Sequence, residues 1–146
     1  MQPYPHLYVA AAGGAPAGTV EVTSPQLPPL ATAPPAEFDG PGDLWSPETL
    51  FCAAIADCYI LTFRAVARGS SFAWARLDCR VEAKLERVER VTRFTAYTTH
   101  ARLAVAPGSD HEKARALLEK AEHACLVANS LLGTRTLVAE VVETAA

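Results

Sequence analysis

The sequence predicts an α+β fold in which an antiparallel sheet carries two main helices on one face. Three observations predict it. A long apolar helix begins at Ser46, a good N-cap, followed by Pro47 at the first helical position and Glu48 in the first turn. Apolar and charged residues then alternate over 77–86, which indicates a half-exposed strand. A second helix is expected after the Pro-Gly break at 107–108.

The segment before the first helix is predicted to contain two short strands and an extended arm. Residues 7–10 and 19–22 are strand candidates around a glycine turn at 12–14. Residues 24–43 hold six of the eleven prolines, which excludes a helix and predicts an extended arm. We expect this arm either to cross its own sheet or to wrap a partner subunit.

The first helix should run to about Ala67 and end near Gly69, and it is apolar nearly all round. A polar turn over 86–89 and a return strand over 92–105 should complete a hairpin with the strand over 77–86.

Ser109 and Glu112 form a capping box that should open the second helix, and residues 134–142 are the last predicted strand. We therefore expect a single domain over 1–146, with an N-terminal arm at 1–45 and a core at 46–146.

Charge and composition narrow the functional classes. Thirteen basic and sixteen acidic residues give a net charge of −3, which argues against nucleic acid and anionic membranes as partners. The longest uninterrupted apolar run, 50–56, is seven residues, whereas a membrane span needs about 20. The segment before Arg64 contains no Lys or Arg, so it lacks the positive start of a secretory signal. Four cysteines without a CxxC pair predict reduced thiols and a cytoplasmic location.

The charge is unevenly distributed along the chain. Residues 1–63 contain six acids and no Lys or Arg, and residues 64–146 contain thirteen bases and ten acids. Oppositely charged halves suit packing of one half on the other or on a second copy of the chain. Scattered surface charge is the alternative interpretation.

The cysteines are the main candidates for chemistry. Cys79 falls on the apolar face of a strand and Cys52 on an early helical turn, so both are interpreted as small core residues. Cys58 and Cys125 belong to the two helices that must share the core, and the residues alone leave open an inert or a reactive thiol. The four histidines lack metal-ligand spacing, so no metal site is expected.

Two segments resemble the cysteine motifs of the OsmC/Ohr family, which comprises osmotically inducible protein C-like and organic hydroperoxide resistance proteins. WSPETLF at 45–51, with AA at 53–54 and DCY at 57–59, is similar to the first motif. AEHACLVANSL at 121–131 is similar to the second. The resemblance covers roughly residues 40–146 and extends poorly to the N-terminal arm.

The resemblance implies an intertwined homodimer with active sites at the subunit interface. It also implies a cysteine-based peroxidase that reduces organic hydroperoxides in defence against oxidative stress. If the family's residue roles apply at the matching positions, Cys58 would be the peroxidatic cysteine, Cys125 the resolving cysteine and Glu48 the carboxylate of an active-site salt bridge. A lipoylated protein or a thioredoxin-like dithiol would reopen the disulfide, so no bound cofactor is expected.

Four apolar residues would line the site in this interpretation and would suit organic or fatty-acid hydroperoxides: Phe51, Ile55, Tyr59 and Leu126. Ten residues of helix separate Glu48 from Cys58, a rise of about 15 Å. They cannot meet within one helix. If both serve one site, Glu48 comes from the other subunit or contacts Cys58 through an intermediary, and we expect the former.

This chain lacks the arginine that the family uses in its active site. In the family that arginine comes from the N-terminal arm or from just before the first motif, whereas this chain has no Arg before Arg64, and Gly13-Gly14 is followed by Ala15. A replacement cation would have to be Arg64, Arg68 or Arg135. Without one, the alternatives are a non-catalytic dimer that binds a hydrophobic small molecule at its interface, or a redox sensor that uses the same cysteine pair.

Overall fold

The computed structural model describes residues 1–145. The chain divides into two compact units, Met1–Phe51 and a second that begins at Cys52. Both strands and helices are present, so the predicted α+β class is confirmed. The single domain over 1–146 stays a prediction.

The first unit contains a three-stranded antiparallel sheet of β1 (Ala11–Gly13), β2 (Val20–Thr23) and β3 (Leu30–Thr32), in that order. The predicted strand over 7–10 is wrong, because the chain pairs with β2 only from Ala11, opposite Thr23. Gly13 therefore belongs to a strand and not to the turn.

The proline-rich arm adds an edge strand to the sheet of its own unit. Its residues Leu30–Thr32 pair with β2 inside the same chain, and a short 3₁₀ turn follows at Ala36–Phe38. The arm folds back so tightly after this turn that a Cβ on Gly40 would overlap the carbonyl oxygen of Pro34. Only glycine fits at that close approach.

Helix α1 (Pro47–Gly69) has the predicted bounds. Ser46 and Thr49 cap it reciprocally: the Ser46 N–H donates to Thr49 Oγ1 at 2.9 Å, and the Thr49 N–H donates to Ser46 Oγ at 3.2 Å. By length and composition α1 could also span a membrane, although core helices pass the same test. The expected absence of a membrane partner therefore stays a prediction.

The second unit contains the long hairpin. Strands β4 (Arg76–Val88) and β5 (Val91–Val105) pair antiparallel and are joined by a two-residue turn at Glu89 and Arg90, both with positive φ. The predicted turn over 86–89 is wrong. Its polar residues continue the strand, because the outward face of β4 is charged along its length.

Strand β6 (Thr134–Glu143) lies on the other side of β5 and pairs with it in parallel, from Ala96↔Thr134 to Val105↔Glu143. The sheet is therefore mixed, and the prediction of a wholly antiparallel sheet is wrong for this pair. The helical segment between β5 and β6 is a crossover that returns the chain to the same end of the sheet.

This crossover consists of α2 (His111–Ala124) and the single turn α3 (Leu126–Asn129). The predicted capping box is wrong. Asp110 caps α2 by accepting from the Lys113 N–H at 2.9 Å, whereas the Ser109 hydroxyl donates to the Ala106 carbonyl.

The core of the second unit lies between the two helices and one face of its sheet, as predicted. Helix α1 contributes residues spaced four apart, namely Tyr59, Phe63 and Ala67. Helix α2 and the sheet contribute the other buried members of the cluster: Ala114, Leu117, Leu118, Ala121, Leu77, Ala101, Leu103, Val105 and Val141.

Candidate functional site

Two thiols meet inside the second unit. Cys58 lies on α1 and is half-buried, and Cys125 is fully buried between α2 and α3. The Cys58 thiol is close enough to Cys125 to influence the ionisation of its thiol, and Cys58 Sγ lies 3.8 Å from Thr62 Oγ1 one helical turn further on. The structure thus brings together the two cysteines that the sequence singled out.

An arginine fixes the turn that carries Cys125. Arg135 Nε donates to Glu122 Oε1 at 2.8 Å, and its Nη1 donates to Asn129 Oδ1 at 2.8 Å. Its Nη2 also donates to the Glu122 carbonyl oxygen. Asn129 in turn donates to the His123 carbonyl at 3.0 Å. The backbone on both sides of Cys125 is therefore tied to β6 through one guanidinium.

Burial dominates the electrostatics of this region. It raises the pKa of Cys125 to about 11, an effect that a backbone hydrogen bond to Ala128 opposes and the neighbouring Cys58 thiol reinforces. Burial also raises the pKa of Cys79 to about 12 and the pKa of Tyr59 above its ordinary value. Cys125 is consequently protonated at neutral pH.

These shifts predict that the protein loses stability in alkali. A thiol in the unfolded chain ionises near its ordinary pKa of 9.0, whereas Cys79 keeps its proton in the folded state until about 12. The unfolded state therefore binds fewer protons above that ordinary value, and the free energy of unfolding falls as pH rises. Urea unfolding under reducing conditions at about pH 8 and about pH 10.5 should show this fall. Cys79→Ala should make it smaller, and an unchanged pH dependence in that variant would contradict the assignment.

The predicted apolar walls divide into buried and exposed residues. Ile55 and Tyr59 are fully buried, and the Tyr59 hydroxyl donates to the Leu118 carbonyl at 3.0 Å. Neither presents surface to a substrate in the single chain. Phe51 is half-buried, and Leu126 is 69% exposed next to Cys125. A role of these four residues in substrate binding stays a prediction.

Glu48 lies in the first turn of α1, within the first unit. Its Oε2 is buried and, among residues 1–145, has no hydrogen-bond partner. The helix itself does not bring Glu48 to Cys58, because ten residues of α1 rise by about 15 Å. Its predicted approach to the Cys58 of another subunit stays a prediction.

The three candidate cations lie in different surroundings. Arg64 and Arg68 are exposed on α1. Arg135 is ion-paired with Glu122, and the charge of Glu122 acts on the Cys125 thiol. Sequence reasoning missed Glu122 and Thr62, although Thr62 follows Cys58 at helical i+4 spacing. Within residues 1–145, no group of three His, Cys, Asp or Glu side chains could hold a metal ion.

Comparison with known proteins identifies the family. A family model described as OsmC-like protein matches residues 40–140. The chain belongs to the OsmC-like family. None of the curated protein sequences matches it significantly. The match covers both cysteines and confirms the resemblance found in the sequence.

Solved structures of OsmC-like proteins share the fold. An organic hydroperoxide resistance protein OsmC from Legionella pneumophila is 28% identical, with a TM-score of 0.75 over 95% of this chain and 98% of that chain. An organic hydroperoxide resistance protein from Elizabethkingia anophelis is 20% identical, with a TM-score of 0.78 over 98% and 100%. OhrB of Bacillus subtilis is 20% identical, with a TM-score of 0.69 over 94% and 98%. Relatives of this OsmC-like chain thus include named hydroperoxide resistance proteins.

Proposed function

We propose that this OsmC-like protein is a thiol-dependent peroxidase that reduces organic hydroperoxides. The observation that carries the proposal is the interaction of the Cys58 thiol with the buried Cys125 thiol, which supports an attacking and a resolving sulfur in one site. The name of the Legionella pneumophila relative supports the same substrate class. Cys58 is the attacking thiol because it is the more exposed of the two.

The reaction proceeds in two steps at these sulfurs. The Cys58 thiolate attacks the outer oxygen of the hydroperoxide and breaks the O–O bond, so that the alcohol leaves and Cys58 becomes a sulfenic acid. The Cys125 sulfur then attacks Cys58, which expels water and closes a disulfide. An external dithiol, either a lipoylated protein or a thioredoxin-like protein, reduces that disulfide, and no bound cofactor takes part.

Two neutral side chains lie beside Cys58. Cys58 Sγ is 3.8 Å from the Thr62 hydroxyl oxygen, and the Cys58 thiol interacts with the Cys125 thiol. The Glu122–Arg135 pair fixes the turn that carries Cys125.

The working form is a cytoplasmic homodimer in this proposal. Helix α1 leaves apolar surface uncovered in the single chain, including Leu61, which is 51% exposed. Large exposed apolar side chains on a central helix are typical of a surface that a second copy covers. Glu48 of the partner subunit would then reach the site, which agrees with the separation of Glu48 and Cys58 along α1.

Mass spectrometry of the oxidised protein tests the proposal. Reduced protein treated with one equivalent of cumene hydroperoxide should contain a Cys58–Cys125 disulfide and release one equivalent of cumyl alcohol. Cys125→Ser should stop at a trappable Cys58 sulfenic acid, and the control Cys52→Ser should behave as the parent protein. Alcohol release without a disulfide would contradict the resolving role. Absence of both would favour the non-catalytic binding protein, and slow oxidation without turnover by a dithiol would favour the sensor.

A further inference from the structure

Thr62 lies one helical turn beyond Cys58 on α1, and both side chains are half-buried. Its Oγ1 is 3.8 Å from Cys58 Sγ, a distance at which a hydroxyl and a thiol can form a hydrogen bond. A helical threonine often donates to the carbonyl oxygen four residues earlier. Among the hydrogen bonds of residues 1–145, Thr62 Oγ1 instead pairs with the sulfur of that residue.

The charge state of Cys58 decides which atom donates this hydrogen bond. While Cys58 is a thiol, either its S–H or the Thr62 O–H can donate. A thiolate has no hydrogen, so the hydroxyl is then the donor and the sulfur the acceptor. A hydrogen bond to an ionised acceptor is stronger than one between neutral groups. A contact of this kind therefore favours the thiolate over the thiol.

The crossover and the sheet present two thiols and an ion pair to the interior of the second unit. Burial raises the pKa of Cys125 to about 11 and the pKa of Cys79 to about 12, so both thiols are neutral at pH 7. Glu122 is paired with Arg135 at 2.8 Å, so that guanidinium is already committed to a carboxylate.

The charged neighbours of Cys58 along α1 point away from its sulfur. Asp57 and Arg64 are exposed, and they lie about 100° and about 120° around the helix from Cys58. Arg68 is exposed ten residues further on, a rise of about 15 Å. Thr62, by contrast, contacts the sulfur directly.

We propose that Thr62 is a positioning residue for the attacking sulfur: its hydroxyl donates to the Cys58 thiolate, fixes the orientation of that side chain and stabilises its negative charge. The hydroxyl keeps its hydrogen, and the proton of the Cys58 thiol leaves to solvent. The inference deepens the proposed peroxidase and rests on it, because both concern the same sulfur.

The pH dependence of Cys58 alkylation tests the inference. The reduced full chain is labelled with iodoacetamide between about pH 5.5 and about pH 9.5, and modified Cys58 is quantified by peptide mass spectrometry. Thr62→Val keeps the shape and removes the hydroxyl. It should move the midpoint of the Cys58 profile upward by about one pH unit and slow alkylation at neutral pH by about tenfold. Thr62→Ser retains the hydroxyl and should stay close to the parent profile.

Cys52 is the internal control in the same samples. It is also a half-buried cysteine on α1, and the residue four positions after it is Ala56, which has no hydroxyl. Its alkylation profile should be the same in every variant. If valine alters the helix, the Cys52 profile moves as well, and Thr62→Ala against Thr62→Ser then repeats the comparison without a branched side chain.

The alkylation needs no hydroperoxide, so its outcome does not depend on turnover. Coinciding Cys58 profiles with and without the hydroxyl would overturn the inference. A loss of rate by the same factor at every pH would also overturn it, since that result indicates changed access to the sulfur. A shifted profile in a protein that does not consume cumene hydroperoxide would support the role of Thr62 and contradict the proposed peroxidase. If both proposals hold, Thr62→Val should lose hydroperoxide reduction at neutral pH and recover it as pH rises.

Discussion

Replacing Cys58 by serine should lower the rate of hydroperoxide reduction by about a thousandfold or more. The hydroxyl of serine stays un-ionised at neutral pH and is a far weaker nucleophile toward a peroxide oxygen than a thiolate. The measurement is the consumption of cumene hydroperoxide with dihydrolipoamide in excess. Cys58 is the expected attacking sulfur because Cys125 is fully buried and keeps its proton.

Cys52→Ser is the matched control for this experiment. Cys52 is also a half-buried cysteine on α1, and burial raises its pKa, so it has no part in the proposed reaction. Its variant should retain the parent rate. Substantial turnover by Cys58→Ser, or an equal loss in both variants, would contradict the assignment of Cys58.

Arg135→Met should lower the free energy of unfolding by about 2–3 kcal/mol. The Glu122 side chain is only 12% exposed and the Arg135 side chain 26%, so the variant leaves a buried carboxylate without its cation. It also removes the hydrogen bond to Asn129, the side chain that donates to the His123 carbonyl beside Cys125. We therefore expect slower formation of the Cys58–Cys125 disulfide after sulfenic acid forms, measured by quenched-flow alkylation and mass spectrometry.

Arg102→Met provides the comparison for this prediction. Arg102 also lies on a strand of the same sheet, and its Nε is 3.3 Å from Glu140, but the two side chains are 62% and 61% exposed. A solvent-exposed ion pair contributes less than about 1 kcal/mol, so this variant should be close to the parent in urea unfolding. Similar losses in the two variants would mean that burial does not set the strength of the Glu122–Arg135 pair.

Helix ends that are set by residues adjacent in sequence were predictable. Ser46, Pro47 and Gly69 set the bounds of α1, and these positions are where the helix starts and ends. The direction of β6 could not be predicted from adjacent residues. Its alternation of apolar and polar residues fits a parallel or an antiparallel strand, and the crossover through α2 makes it run parallel to β5. The N-cap of α2 was displaced by one residue because Asp110, beside Ser109, is an equally good cap.

Only the residues of the candidate site that lie in the two cysteine motifs were predictable from the sequence. The two cysteine motifs singled out Cys58 and Cys125, and the Cys58 thiol influences the ionisation of Cys125 in the structure. The partner of Arg135 was not predictable, because Glu122 lies on a different element and only the packing of α2 against β6 joins them.

The position of β5 in the middle of its sheet has a consequence for how the chain acquires its structure. Its pairing with β4 closes a two-residue turn and joins strands adjacent in sequence, so this hairpin can form once Val105 has emerged from the ribosome. The pairing with β6 joins Ala96 to Thr134 and must wait for the whole crossover to emerge from the ribosome. During that interval β5 exposes an unpaired edge beside apolar residues. This nascent state is the stage of synthesis at which the chain is most vulnerable to aggregation.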